Sequence, residues 1–239
     1  MTTVALTTLT PPVQASLRDL GQTLAGLYGE KLLCLAAYGS AVEKIHDPGQ
    51  SGIETVMVLS QVDLAMMRSL SQHGAKLGAR GITAPLALTP DDIKASYDTF
   101  PLEIIEIHQS HVVVTGRDFF ESVEIQPEHV RLQCEREFKR IMLRIRQGVL
   151  AAAGHEQILV ELSRDIGRHV LRTLRGFLWT RGQREYLPAD AILARCAKET
   201  GRPLTGLSSA IHFRGDFSWS EFTTLHQDVE VLARISNDG

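Results

Sequence analysis

The chain is poor in the features that announce many protein classes. Three cysteines in 239 residues, Cys34, Cys134 and Cys196, are widely separated and never in C-x-x-C spacing, so neither a disulfide framework nor a zinc knuckle is expected. Apolar filler is the reading for all three. Aromatic residues make up only 6% of the chain, too few for a single-strand nucleic-acid stacking platform. No apolar run reaches the ~18 residues of a membrane-spanning helix, and Met1–Gln14 lacks both the basic start and the apolar run of a signal segment. A cytoplasmic protein without membrane attachment is the expectation. G-x-G-x-x-G, the Walker pattern and G-x-S-x-G are all missing; Gly74-Ala75-Lys76-Leu77-Gly78 does not complete a phosphate loop. No internal repeat or low-complexity tract occurs.

What is present is ordinary globular composition, 44% apolar and 22% charged with a net charge of −3, divided unevenly along the chain. Residues 1–126 carry 8 Lys and Arg against 14 Asp and Glu, a balance of −6, whereas 127–239 carry 17 against 14, or +3. The hydrophobic period changes at the same place. Before it, Val13, Leu17, Leu20, Leu24 and Leu27 mark an amphipathic helix opened by Pro11-Pro12. Residues 32–38 and 53–59 read as buried strands, 62–77 as a helix, and 82–88 as a third strand. Thr89 is placed to cap a short helix over 91–96, with Asp91 and Asp92 at its positive end. Residues 102–107 read as a fourth strand with Glu103 and Glu106 embedded in it, and 112–115 as a fifth. From Glu128 onward the period stays helical, with helices over about 128–154, 159–182, 189–200, 204–213 and 220–235. The expected architecture is α+β: an α/β domain over 1–126, then an all-α bundle over 127–239.

The most informative stretch is Tyr38-Gly39-Ser40, a loop, then Ser51-Gly52-Ile53-Glu54-Thr55-Val56. A strand ending in Gly-Ser, followed by a second strand led by a serine and an acid, resembles the nucleotidyltransferase fold of the DNA polymerase beta superfamily. The likeness is nearest to its kanamycin nucleotidyltransferase-like and minimal nucleotidyltransferase groups. In that family the Gly-Ser grips a nucleoside triphosphate, a Ser-Asp-x-Asp strand supplies two carboxylates for magnesium, and a later strand supplies a third. The physical logic is plain: residues two apart on a strand face the same way, and Mg²⁺ takes hard oxygen ligands. Two such ions polarise the phosphate under attack.

Laid on this chain, the resemblance makes Gly39, Ser40 and Ser51 nucleotide-binding residues. It makes Glu54 and Glu103 the catalytic acids, with Glu54, Glu103 and Glu106 as magnesium ligands. Gly52, however, stands where the first aspartate belongs, so the acidic motif is degenerate. Asp47 on the intervening loop is a substitute ligand in principle. His108 and His111, three apart, lack a third metal ligand and read as solvated turn residues.

The second signal is basic. Between Pro127 and Arg184 there are 12 Lys and Arg against 6 Asp and Glu, and Arg164, Arg168, Arg172 and Arg175 recur on one helix face. Arg136, Lys139 or Arg140, and Arg144 do the same on the preceding helix. Arg168 and Arg172 are read as phosphate-binding, facing the acidic half across a cleft; a solvated helix face is the alternative. Three functions follow. The first is a catalytically impaired nucleotidyltransferase-like protein that binds a nucleotide or other phosphorylated partner. The second is an active Mg²⁺-dependent transferase using Glu54 and Glu103. The third is a scaffold whose bundle docks another protein. RNA binding and a homo-oligomer are compatible with each.

Overall fold

The computed structural model describes residues 6–42, 52–213 and 215–237, with the side chains of Ser40, Glu156, Arg168 and Asn237 outside the description. The chain divides into two compact units, residues 1–97 with 104–124 and residues 98–103 with 125–239. None of the helices among the described residues is long and apolar enough to cross a membrane.

In the α/β unit, α1 (Pro11–Tyr28) begins at a proline, whose missing N–H costs nothing in the first turn. It buries Val13, Leu17, Leu20 and Leu24 on one face. The sheet has the order β3-β2-β1-β4, built from β1 (Leu32–Tyr38), β2 (Glu54–Leu59), β3 (Leu86–Leu88) and β4 (His111–Gly116). β1 runs antiparallel to β2 and β4, while β3 pairs parallel to β2. Cys34, Leu35, Ala36 and Ala37 are all fully buried, so β1 is covered on both faces and shows no apolar alternation.

The helix expected over 62–77 is two, α2 (Leu64–Ser71) and α3 (Gly74–Ala79), broken at Gln72-His73. Asp19 on α1 holds Lys76 at 3.5 Å and Arg80 at 3.3 Å, tying α1 to the α3 end. The helix opened by Thr89 is α4 (Pro90–Thr99). Its cap is reciprocal: the Thr89 hydroxyl accepts from the Asp92 amide at 3.1 Å, and the Asp92 carboxylate accepts from the Thr89 amide at 2.8 Å. The bond from the Thr89 amide first, and a second that the Thr89 hydroxyl donates to the carboxylate at 2.7 Å, hold the Asp92 carboxyl below its ordinary value.

One expectation fails outright. Residues 102–107 are not a strand but part of α5 (Pro101–Gln109), which starts at a proline. Leu102, Ile104, Ile105, Glu106 and Ile107 are all buried. A short helix enclosed on most sides shows no polar stripe, and its run of isoleucines imitates a strand.

The helical unit contains α6 (Pro127–Ala152), α7 (Glu156–Thr180), α8 (Ala189–Thr200), α9 (Thr205–Ile211) and α10 (Trp219–Asn237). α6 lies along α7, and α10 packs on both α6 and α9. Phe138 meets Phe177 edge to face at 6.2 Å between α6 and α7. Small residues set the closest crossings: a Cβ at Gly167 would strike the Ala210 carbonyl, and one at Gly206 would strike the Leu225 amide. Fully buried Asp228 on α10 accepts from the Leu207 amide at 3.1 Å and from Arg202 at 2.9 Å, pinning the start of α9. The three thiols are buried, as expected of filler; burial pushes those of Cys34 and Cys196 up to about 12.

Candidate functional site

β1 ends at Tyr38, and Gly39 turns the chain with φ +71°, in the left-handed region that favours glycine. The Gly39 amide donates to the Ser110 carbonyl at 3.3 Å, and its carbonyl accepts from the Val42 amide at 3.0 Å. On the neighbouring strand, Glu54 is directly opposite Tyr38, and His111 faces Tyr38 from the other side. Residues paired across antiparallel strands project to the same face, so Glu54, Tyr38 and His111 form one row at this end of the sheet. The Glu54 carboxylate lies over Gly39: a Cβ there would come within 2.5 Å of Oε2. The structure therefore joins Gly39 and Glu54. Ser51 and Asp47 lie outside the described residues, as does the Ser40 side chain.

Gly52 is enclosed. The Ile53 amide donates to the Gly81 carbonyl at 2.6 Å, and the Thr83 amide and hydroxyl both donate to the Ile53 carbonyl at 3.1 Å. These bonds bring the Thr83 methyl into the space that a side chain at residue 52 would need, with the Gly81 carbonyl 3.2 Å from the same point. A side chain at residue 52 would find no vacancy to enter. β3 presents Leu86, Ala87 and Leu88, so Glu54 is the single carboxylate on the four described strands. Among the described residues no three His, Cys, Asp or Glu are grouped to hold a metal. Among the described residues this donor set does not fit a pair of hard dications, each of which wants several oxygen ligands.

Glu103 and Glu106, expected on a strand with Glu54, lie on α5 instead. Glu103 belongs to the helical unit and Glu54 to the α/β unit. Both oxygens of Glu103 are engaged: Oε1 with Arg172 at 3.3 Å, and Oε2 with the Gln133 side-chain amide, which donates at 3.0 Å. The Gln133 carbonyl oxygen in turn accepts from the Leu102 backbone amide at 2.9 Å. Glu106 is buried within the α/β unit.

The arginine row on α7 is also engaged at home. Arg164 lies 4.8 Å over the Phe213 ring. Arg172 meets Glu103, and buried Arg175 donates to the Tyr186 hydroxyl at 2.5 Å while covering its ring. The Arg168 side chain is outside the description. A phosphate reaching Arg172 must compete with a carboxylate already held there.

The sequence reading missed a buried polar cluster of the α/β unit built on His111. His111 is buried, not solvated; its Nε2 lies 3.0–3.1 Å from both Asp118 carboxylate oxygens and its Nδ1 lies 2.8 Å from the Ile107 carbonyl. The Phe120 amide donates to Asp118 at 2.8 Å. Burial raises the Asp118 carboxyl, but hydrogen bonds from His111 and the Phe120 amide outweigh it and leave the group below its ordinary value. His108 Nδ1 lies 2.8 Å from the Phe120 carbonyl. No spacing in the sequence pairs a histidine with an acid seven residues on, across a strand and a turn.

No protein family matches this chain, and no curated protein does. Solved structures do. One is a spectinomycin adenyltransferase from Enterococcus, crystallised with ATP and spectinomycin. It aligns with a TM-score of 0.57 over 93% of this chain and 98% of its own, at 11% identity. The fold is nucleotidyltransferase-like; identity that low carries the likeness no further than fold.

Proposed function

We propose that this protein binds a nucleoside triphosphate, or another phosphorylated ligand, at the Gly39 turn, and that it transfers nucleotidyl groups slowly or not at all. One observation carries the reading: Thr83 fills the place of the side chain that residue 52 lacks, two residues before Glu54, the single carboxylate of the described strands. Nucleotidyl transfer forms a bond from an acceptor oxygen to the α-phosphorus and releases pyrophosphate. Its barrier falls chiefly through charge placed around the phosphates, and one carboxylate supplies little of that.

Binding is the separable half. The turn at Gly39 keeps its glycine conformation, and the Enterococcus adenyltransferase of like fold was solved with ATP. Glu54, close over that turn, repels a phosphate, so neutralising it strengthens binding. The test is equilibrium binding of ATP, GTP, CTP and UTP to the full chain, with pyrophosphate release followed with and without Mg²⁺. Saturable binding that tightens in Glu54→Gln, with no Mg²⁺-dependent pyrophosphate, is expected. Rapid Mg²⁺-dependent release abolished by Glu54→Gln establishes the active-transferase reading instead, and no binding of any of the four overturns the nucleotide-site reading.

A further inference from the structure

Helix α6 carries two apolar faces. One is the core face, Val130, Cys134, Phe138, Ile141 and Ile145, all buried. The other lies on the opposite side, where a surface helix is normally polar throughout. At 100° per residue, Leu132, Leu143 and Leu150 fall within about 20° of one another, and Arg136, Lys139 and Arg146 lie within about 40° of that line. The leucines are 43%, 55% and 82% exposed. The stripe runs about 27 Å along the helix. At its C-terminal end it opens into a groove of about 370 Å³ walled by Ile145, Val149, Leu150, Phe222 and half-exposed Trp219.

The cations of the stripe are unevenly used. Arg146 meets Glu230 at 3.2 Å, but Arg136 and Lys139 have no acidic partner among the described residues, although Arg131, Arg140 and Arg144 each have one. Exposed leucines in register with unneutralised cations match a surface of opposite pattern. We infer that the outer face of α6 docks an acidic amphipathic helix of a partner protein. The partner's apolar residues lie along Leu132, Leu143 and Leu150, one of them enters the groove beside Trp219, and its carboxylates meet Arg136 and Lys139. A second copy of this chain fits poorly, because a two-fold axis would set the same positive stripe against itself. The inference is independent of the nucleotide site.

The probe is a labelled, helix-forming peptide of about 18 residues, long enough to span the stripe at 1.5 Å per residue, with one leucine face and glutamate elsewhere. Its binding to the full chain is followed by fluorescence anisotropy. Saturable binding is expected, weakened about tenfold or more by Leu143→Ser/Leu150→Ser and separately by Arg136→Glu/Lys139→Glu. A peptide with lysine in place of glutamate does not bind. All four positions are exposed, so both variants keep the wild-type melting curve, and circular dichroism verifies this. Equal binding of the two peptides, or no loss in either variant, overturns the inference. So does self-association in sedimentation, or capture by phosphatidylglycerol vesicles, that Leu143→Ser/Leu150→Ser abolishes while the peptide fails to bind.

Discussion

The Thr83 methyl occupies the volume that a side chain at Gly52 would enter. A position that resembles a missing metal ligand in the sequence is thus a packed position in the fold. Introducing an acid by Gly52→Asp overpacks the segment before β2 against Thr83 and the Gly81 carbonyl, and destabilises the protein by about 1–3 kcal/mol. Calorimetry detects no new Mg²⁺ site in the single variant. Urea denaturation shows partial recovery in Gly52→Asp/Thr83→Gly; a fully stable Gly52→Asp that binds Mg²⁺ contradicts the packing argument.

Much of this fold is written in local chemistry. Pro11-Pro12 and the Val13–Leu17–Leu20–Leu24 spacing mark α1 because one face is core and the other is water. Thr89 and Asp92 cap α4 through a contact three residues long, which sequence alone displays. Gly39 and Glu54 are legible as a pair because a strand end and the next strand start are adjacent in any hairpin-like pairing. What was illegible depends on contacts distant in the chain. α5 looks like a strand because most of its surface is enclosed, and the two oxygens of Glu103 are taken by residues 30 and 69 positions away. Thr83 reaches Gly52 only through the parallel bridge between Ile53 and Ile82.

Gly39 is held by two constraints, its φ of +71° and the Glu54 carboxylate within 2.5 Å of where a Cβ would sit. The left-handed conformation alone costs a non-glycine residue about 1–2 kcal/mol. Gly39→Ala therefore loses at least that, and Glu54→Ala in the same chain returns part of the loss. A double-mutant cycle on the denaturation midpoints reads a coupling of about 0.5–3 kcal/mol; strict additivity would show that the carboxylate yields freely.

Gln133 joins α6 to the first turn of α5, accepting from the Leu102 amide and donating to Glu103. Gln133→Leu keeps the approximate size of the side chain but strands a buried N–H. A loss of about 1–3 kcal/mol is expected, larger than that of Arg172→Ala, whose half-exposed ion pair with Glu103 contributes about 1 kcal/mol or less. Chemical denaturation of both variants ranks them, and the reverse order refutes the assignment.

Two carboxylates, half-buried Asp118 and buried Asp228, give stability opposite dependences on pH. For Asp118, burial opposes the charge but hydrogen bonds from His111 and the Phe120 amide prevail, and the folded value lies below the ordinary 3.8. The unfolded chain then binds the proton more readily, so the contribution is complete above 3.8 and is lost as pH falls through the folded value. Asp228 is the reverse: burial dominates over the Leu207 amide and Arg202, and its folded value is raised. Its protonated form favours the fold, and that contribution is lost as pH climbs from 3.8 through the raised value. Denaturation from pH 3 to 8 separates them. The stability lead of the wild type over Asp118→Asn shrinks toward low pH, whereas Asp228→Asn gains on the wild type as pH rises through the acid range. Parallel curves for either variant would mean that its carboxylate titrates alike in the folded and unfolded chain.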